Sequence, residues 1–109
     1  MVKVVNNDIY LTRGDTFICS VKMIKDDGTE YTPTGNDSVR FALKKTAYDR
    51  KPLILKTIPN DTLKLTITPD DTKKLDFGDY IYDIELTTEN GVVDTFIADA
   101  GFNLMVEVH

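Results

Sequence analysis

The residue groups that could do chemistry in this chain are few, and each has a simpler structural explanation. Arg13-Gly14-Asp15 spells an integrin-binding tripeptide, but a glycine in a tight turn between two strands accounts for it. The pairs Asp26-Asp27 and Asp70-Asp71 could contact calcium, yet neither continues into the Asp-x-Asp-x-Asp-Gly spacing that encloses the ion. We therefore interpret the first pair as a turn and the second as a helix start, and we predict no metal site.

Catalytic arrangements are equally sparse. Asp83 and Glu85 lie two residues apart on a predicted strand and so project from one face, as paired glycosidase carboxylates do. Because nothing indicates a cleft around them, we interpret them as a solvated face with Arg40 or Lys44 as cross-strand partners. His109 is the only histidine and Cys19 the only cysteine, which excludes a triad built on histidine elsewhere and an internal disulfide. We expect no enzyme and no cofactor.

The length, charge and hydropathy of the chain limit the classes of partner that we expect. The chain has 109 residues, which we interpret as one domain, 1–109, and carries a net charge of −5. Phosphate binding needs clustered Lys and Arg, so nucleic acid is not expected as a partner. No apolar run approaches the roughly 20 residues that cross a bilayer, and residues 1–7 are too short for a signal peptide. We expect synthesis in the cytoplasm and no membrane contact.

The elements that must position any site are strands. Period-two alternation predicts about seven of them, and the prolines at 52 and 59 make the fourth a short edge strand. These strands are predicted at residues 9–12, 16–24, 39–44, 53–58, 63–68, 80–87 and 95–108. Their apolar faces predict a core between two sheets, made of Phe17, Cys19, Val21, Phe41, Leu43, Leu65, Ile67, Tyr80, Tyr82, Ile84, Leu104 and Val106.

Three connections have clear local signals. Thr68-Pro69-Asp70-Asp71 predicts a helix of one or two turns, because a hydroxyl can cap the first amides and the acids lie at the positive end of the helix dipole. Residues 89–92, Glu-Asn-Gly-Val, predict a hairpin with a type I′ turn, whose central positions need the positive φ that Asn-Gly tolerates. Residues 98–101 interrupt the last strand as a bulge would.

The connection into the sixth predicted strand indicates which class of β-sandwich the chain forms. Residues 76–82, Asp-Phe-Gly-Asp-Tyr-Ile-Tyr, resemble the immunoglobulin corner Asp-x-Gly-x-Tyr-x-Cys, in which the tyrosine hydroxyl bonds back to the preceding crossover. The resemblance makes Tyr80 the corner tyrosine and places Tyr82 and Cys19 at the positions of the two immunoglobulin cysteines. The expected fold is an all-β, immunoglobulin-like sandwich of about seven antiparallel strands with one short helical turn.

Four longer segments have turn and strand residues in a recognisable order: residues 11–17, 27–35, 39–44 and 78–86, together with Asn90-Gly91 and Phe102. These segments are similar to phage and prophage baseplate modules, notably the amino-terminal domain of the baseplate upper protein. The resemblance implies a noncatalytic virion part that docks onto other tail or baseplate proteins, often as a homo-oligomer. A carbohydrate-binding or host-surface adhesion module is the alternative; the chain lacks Trp, which leaves Tyr31 and Tyr48 as sugar platforms.

The predicted partner surface lies on the third, sixth and seventh strands. In an immunoglobulin-type arrangement these strands share a sheet, and the residues that alternate with the core set face outward. They form an apolar centre with a charged rim, which is the anatomy of a protein contact. The centre is Ala42, Ile81 and Met105, and the rim is Arg40, Lys44, Asp83, Glu85, Asn103 and Glu107.

Overall fold

The computed structural model describes the backbone of residues 2–5 and both backbone and side chains of residues 7–106. About half of the residues are in β-strands and only four are in a helix, so the fold is all-β, as the alternating sequence predicts. The elements are β1 (Val2–Val5), β2 (Asp8–Thr12), β3 (Phe17–Ser20), β4 (Met23–Ile24), β5 (Glu30–Tyr31), β6 (Ser38–Lys44), β7 (Ile54–Ile58), β8 (Lys64–Ile67), α1 (Pro69–Thr72), β9 (Gly78–Thr87) and β10 (Val93–Met105).

Six of the strands form one sheet in the order β1-β2-β10-β9-β6-β7, which puts β7 at an edge, as predicted. The other two sheets are pairs, β3 with β8 and β4 with β5. Strand β2 pairs with β10 in parallel, so the sheet is mixed and the prediction of purely antiparallel strands is wrong at this pair. No hairpin joins β2 to β10, because almost the whole chain runs between them, and a long connection leaves either direction open.

The core follows the predicted apolar faces. Ten of the twelve predicted core residues are buried, and Cys19 is half-buried against the core. Val106 is 58% exposed, so its prediction is wrong; β10 ends at Met105, and Val106 lies beyond the last residue paired with β2. The predicted strand at 16–24 is broken in two because its halves pair with different partners, β3 with β8 and β4 with β5.

The local signals hold with one correction. Thr68 caps α1 in a capping box with Asp71, as expected of this start. Strands β9 and β10 form the predicted hairpin, but only Gly91 in its loop has a positive φ, of 83°. The Gly91 amide donates to the Thr88 carbonyl (2.9 Å), and the Thr88 amide donates to the Val92 carbonyl (2.8 Å). The loop therefore has three residues ending in a left-handed glycine, and the type I′ prediction is wrong.

The interruption in the last strand is a pair of irregularities. The register between β10 and β9 shifts between Thr95 and Ile97 and again between Ile97 and Ala100. Asp99 has a φ of 51°, which is the left-handed region that a bulge residue often adopts. The predicted bulge is confirmed, and it bends β10 just before the strand reaches β2.

Two tyrosines on β9 fasten loops to the core. The Tyr80 hydroxyl donates to the Asp76 carbonyl at 2.6 Å, which is the contact that the corner interpretation predicts. Burial raises the pKa of Tyr80, and the Lys45 ammonium lies 4.5 Å from the centre of its ring. The Tyr82 hydroxyl donates to the Asn7 carbonyl, and burial raises the pKa of Tyr82 to about 12. Both rings thus carry a polar tip that is hydrogen-bonded where it is buried.

The corner contact leads to a stability prediction. Replacing Tyr80→Phe keeps the buried ring but leaves the Asp76 carbonyl without this donor, so the free energy of unfolding should fall by about 1 kcal/mol. Chemical denaturation monitored by far-ultraviolet circular dichroism measures the change. Tyr48→Phe is the matched control, because it also removes one hydroxyl but at a residue that is 94% exposed. The denaturation midpoint of this variant should equal that of the wild type. Equal midpoints for Tyr80→Phe and the wild type would contradict the corner.

Candidate functional site

The outer face of the six-stranded sheet is the candidate site. We define it as the side chains on β2, β6, β7, β9 and β10 that alternate with the buried ones. Strands β6, β9 and β10 are neighbours in this sheet, as the sequence predicts. The outer face includes Asp8, Tyr10, Arg40, Ala42, Lys44, Leu55, Asp79, Ile81, Asp83, Glu85, Gly101, Asn103 and Met105.

The register brings two of the three predicted apolar residues together. Ile81 lies between Lys44 on β6 and Gly101 on β10. Ala42 lies one step along β6 in the same face, opposite Asp83, so Ile81 and Ala42 are diagonal neighbours. Leu55 on β7 lies directly opposite Ala42 and is 54% exposed. Ile81, Ala42 and Leu55 therefore lie in a diagonal row across three strands, and we call this row the apolar strip.

Met105 does not join the apolar strip. It lies four residues beyond Gly101 on β10, a distance of about 13 Å at the rise of a strand. Asn103 and Asp79 lie between it and Ile81, and the Asn103 amide donates to the Asp79 carboxylate. Met105 instead lies opposite Thr12 at the end of the sheet, where its carbonyl accepts a hydrogen bond from the Arg13 amide (3.1 Å).

The predicted charged rim is placed beside the apolar strip. Arg40 lies directly opposite Glu85, as a cross-strand ion pair requires. Asp83 accepts a hydrogen bond from the Asp99 amide at 2.7 Å, so this carboxylate holds the bulge of β10. Lys44 lies opposite Ile81. Glu107, the remaining rim residue, lies outside the described residues.

A shallow depression of about 310 Å³ opens beside Ile81, between β2 and β9. Its floor is Gly101, whose amide donates to the Asp8 carboxylate at 2.9 Å. A Cβ at this position would lie 3.0 Å from the same carboxylate oxygen, so a side chain there would displace Asp8. Tyr10 and Asn103 form part of the wall. The depression extends the apolar strip toward β2.

Sequence reasoning missed Leu55, Tyr10 and Gly101. Leu55 could have been found, because the buried Ile54 and Ile58 leave the odd-numbered positions of β7 facing outward. Tyr10 and Gly101 face the same depression only because β2 pairs with β10 in parallel. No signal in the sequence predicted that pairing.

The Arg-Gly-Asp segment is a turn, as interpreted. Gly14 has a φ of 95°, and the Asp15 amide donates to the Thr12 carbonyl (3.1 Å). The Arg13 guanidinium donates to the Leu75 carbonyl (3.2 Å) and lies 4.1 Å from the centre of the Phe77 ring. Arg13 therefore fastens this turn to the connection between α1 and β9.

The two acid pairs serve local structure. Asp27 accepts hydrogen bonds from the Thr29 hydroxyl and amide, which lower the pKa of its carboxyl. Burial alone would raise the pKa of Asp71. The Lys56 ammonium at 2.8 Å and two hydrogen bonds from Thr68 outweigh the effect of burial, and the pKa of Asp71 is lowered. Among the described residues, no three histidine, cysteine, aspartate or glutamate side chains are grouped as a metal ion would need.

Asp71 makes stability depend on pH. The pKa of Asp71 in the folded protein is below the ordinary value of 3.8. The ionised side chain therefore stabilises the fold fully at pH values above 3.8, and this stabilisation disappears as the pH falls through the pKa of the folded protein. Asp71→Asn should lower the free energy of unfolding by about 1 kcal/mol near neutral pH, through the lost cap and ion pair. The difference from the wild type should shrink as both are titrated to about pH 2.

Asp70→Asn is the matched control for this titration, because the Asp70 side chain is 86% exposed and its ion pair with the nearby Lys73 ammonium (3.2 Å) is a surface one. Urea denaturation across the pH range measures all three proteins. A gap between Asp71→Asn and the wild type that stays constant with pH would show that the Asp71 charge is not responsible.

Within the described residues, no helix is both long and apolar enough to span a membrane. Comparisons of the chain with protein-family models, with curated proteins and with solved structures find no match.

Proposed function

We propose that this chain is a noncatalytic docking module that binds another protein through the outer face. The observation that carries the proposal is the apolar strip of Ile81, Ala42 and Leu55, which crosses three strands and continues into the depression over Gly101. A contiguous apolar centre within polar surroundings is typical of a protein contact. Arg40 and Glu85 at one end of the strip supply the polar rim.

The geometry suits a flat partner. Five neighbouring strands about 4.8 Å apart give the face a width on the order of 19 Å between its outer strands, and the side chains on it belong to paired backbone. A rigid face loses little conformational entropy when a partner covers it. The depression beside Ile81 can accept one side chain of that partner, which is how central contact residues usually bind.

The finer fold that we propose is immunoglobulin-like. Strands β7, β6, β9 and β10 are consecutive in one sheet, and β3 pairs with β8 outside it, as expected of a variable-type sandwich. The Tyr80 contact with Asp76 supports the same interpretation. The parallel pairing of β2 with β10 departs from the all-antiparallel expectation.

The setting that we propose is a phage or prophage tail or baseplate. It rests on the resemblance of residues 11–17, 27–35, 39–44 and 78–86 to baseplate modules. The partners would be other tail or baseplate proteins, or a second copy of this chain, and the protein would be a virion component. Asp83 accepts a hydrogen bond from the Asp99 amide and Glu85 lies opposite Arg40, so each carboxylate has a neighbour that gives it a structural role.

Carbohydrate binding has less support from the geometry. Tyr31, one of its two candidate platforms, stacks on Phe96 with 6.2 Å between ring centres and donates its hydroxyl to Asp37 (2.6 Å). Tyr48 alone presents a free ring, on the loop between β6 and β7. A sugar platform usually joins an exposed ring to converging polar groups in a concave site.

The outer face can be tested with a charge in its centre. Ile81→Glu should leave the circular dichroism spectrum intact, because the side chain points away from the core. It should weaken binding to a tail or baseplate partner, or self-association, about tenfold or more, since a carboxylate would have to lose its water in the contact. Sedimentation velocity measures self-association, and titration calorimetry measures binding to proteins encoded beside this chain.

Val92→Glu is the matched control, because Val92 is 60% exposed in the loop between β9 and β10, outside the outer face. It should bind as the wild type does. Unchanged affinity of Ile81→Glu for a partner that the wild type binds, or a strictly monomeric wild type that binds none of the neighbouring proteins, would contradict the proposed function.

A further inference from the structure

A second surface lies where the small strands meet the large sheet. Two cavities follow one line there, with volumes of about 310 and 420 Å³. The first is lined by β3, by the residues after it and by Ile97; the second lies between residues 24–27 and residues 94–96. We call this line between residues 17–27 and residues 94–97 the seam.

The backbone is unpaired on both sides of the seam. β3 pairs with β8 along one edge, and none of the described strands pairs with its other edge. β10 pairs with β2 only from Phe102 to Met105, so its stretch from Val93 to Ile97 has β9 on one side and no described strand on the other. Amide and carbonyl groups at such edges can pair with an added strand.

The first cavity opens onto the core. Phe17, Leu65 and Ile84 are buried residues that nevertheless line it. Cys19 and Ile97 are half-buried beside them, and burial raises the pKa of the Cys19 thiol. The core is therefore covered less completely here than beneath the centre of the large sheet, and apolar side chains entering the seam would complete it.

The second cavity has the opposite character. Its lining contains three carboxylates, those of Asp26, Asp27 and Asp94, and one ammonium, that of Lys25. The Lys25 ammonium lies 5.8 Å from the centre of the Tyr31 ring. This end of the seam carries an excess of negative charge, which favours a cationic side chain in whatever binds there.

We propose that the seam binds an extended segment of a partner protein by β-strand addition along β3. The segment has apolar side chains at alternate positions, facing Cys19 and Ile97, and a lysine or arginine at the end beside Asp26 and Asp94. A strand satisfies the open edge, the apolar cavity and the acidic end together. A helix of the partner would leave the open backbone edges unpaired, because its own amides and carbonyls are bonded within it.

This surface is distinct from the outer face, so the two proposals can fail separately. The single cysteine makes the seam measurable, because Cys19 lines the first cavity. The probe is a synthetic peptide of alternating threonine and valine with a lysine at one end. At a peptide concentration about ten times its Kd, alkylation of Cys19 by iodoacetamide at a fixed alkaline pH should slow about tenfold.

Two control peptides separate strand addition from apolar adsorption. In one, proline replaces the threonines, which removes the backbone donors that the edge of β3 needs; in the other, glutamate replaces the terminal lysine. The proline peptide should not protect Cys19, and the glutamate peptide should protect it less well than the lysine peptide. Asp94→Lys should reverse the order of the lysine and glutamate peptides, since Asp94 lies in the acidic cavity and is exposed.

Three results would overturn the proposal. The first is equal protection by the proline peptide, which would mean apolar adsorption. The second is no protection by the lysine peptide up to millimolar concentration. The third is protection that rises with protein concentration in the absence of peptide, together with dimers in sedimentation, which would make a second copy the occupant. Ile81→Glu should bind the peptide as the wild type does, whichever partner the outer face has.

Discussion

The position of β9 between β6 and β10 is the constraint on which the rest of the structure depends. β9 is hydrogen-bonded on both sides, and its residues alternate strictly between the core and the outer face. Tyr80, Tyr82, Ile84 and Leu86 enter the core, and their neighbours face outward. A slip of one residue would exchange the two sets, so the buried aromatic residues fix the register. The same register places Ile81 beside Ala42 on the surface.

The buried tyrosines carry this constraint into the connections. Tyr80 is bonded to the turn before β9, and Tyr82 to Asn7, the residue that precedes β2. Phe41 packs against Tyr82 with 5.3 Å between ring centres, so aromatic packing fills this part of the core. The chain thus joins its layers through hydrophobic contact and two hydroxyl hydrogen bonds. Cys19, with no cysteine partner in the sequence, remains a half-buried thiol.

The two surfaces that we propose for binding follow from this arrangement in different ways. The outer face is complete: its backbone is paired on every inner strand, and only its side chains are available. The seam is incomplete in its backbone, because β3 has one partner and β10 bends away at Asp99 before it reaches β2. A bulge of this kind ends pairing and so exposes the edge that lies before it. One surface therefore suits side-chain contacts, and the other suits an added strand.

The alternation of apolar and polar residues by itself determined the all-β class and ten of the twelve predicted core residues. The Thr-Pro-Asp-Asp start determined the helix after Thr68, and the break in alternation at residues 98–101 determined the bulge. These features depend on neighbours in sequence, so a local pattern is enough to predict them. The tertiary structure decided what depends on distant partners. It set the parallel pairing of β2 with β10, the division of residues 16–24 between two sheets and the separation of Met105 from Ile81. Pairing between strands far apart in the chain is chosen by the packing of the whole core, which no local pattern records.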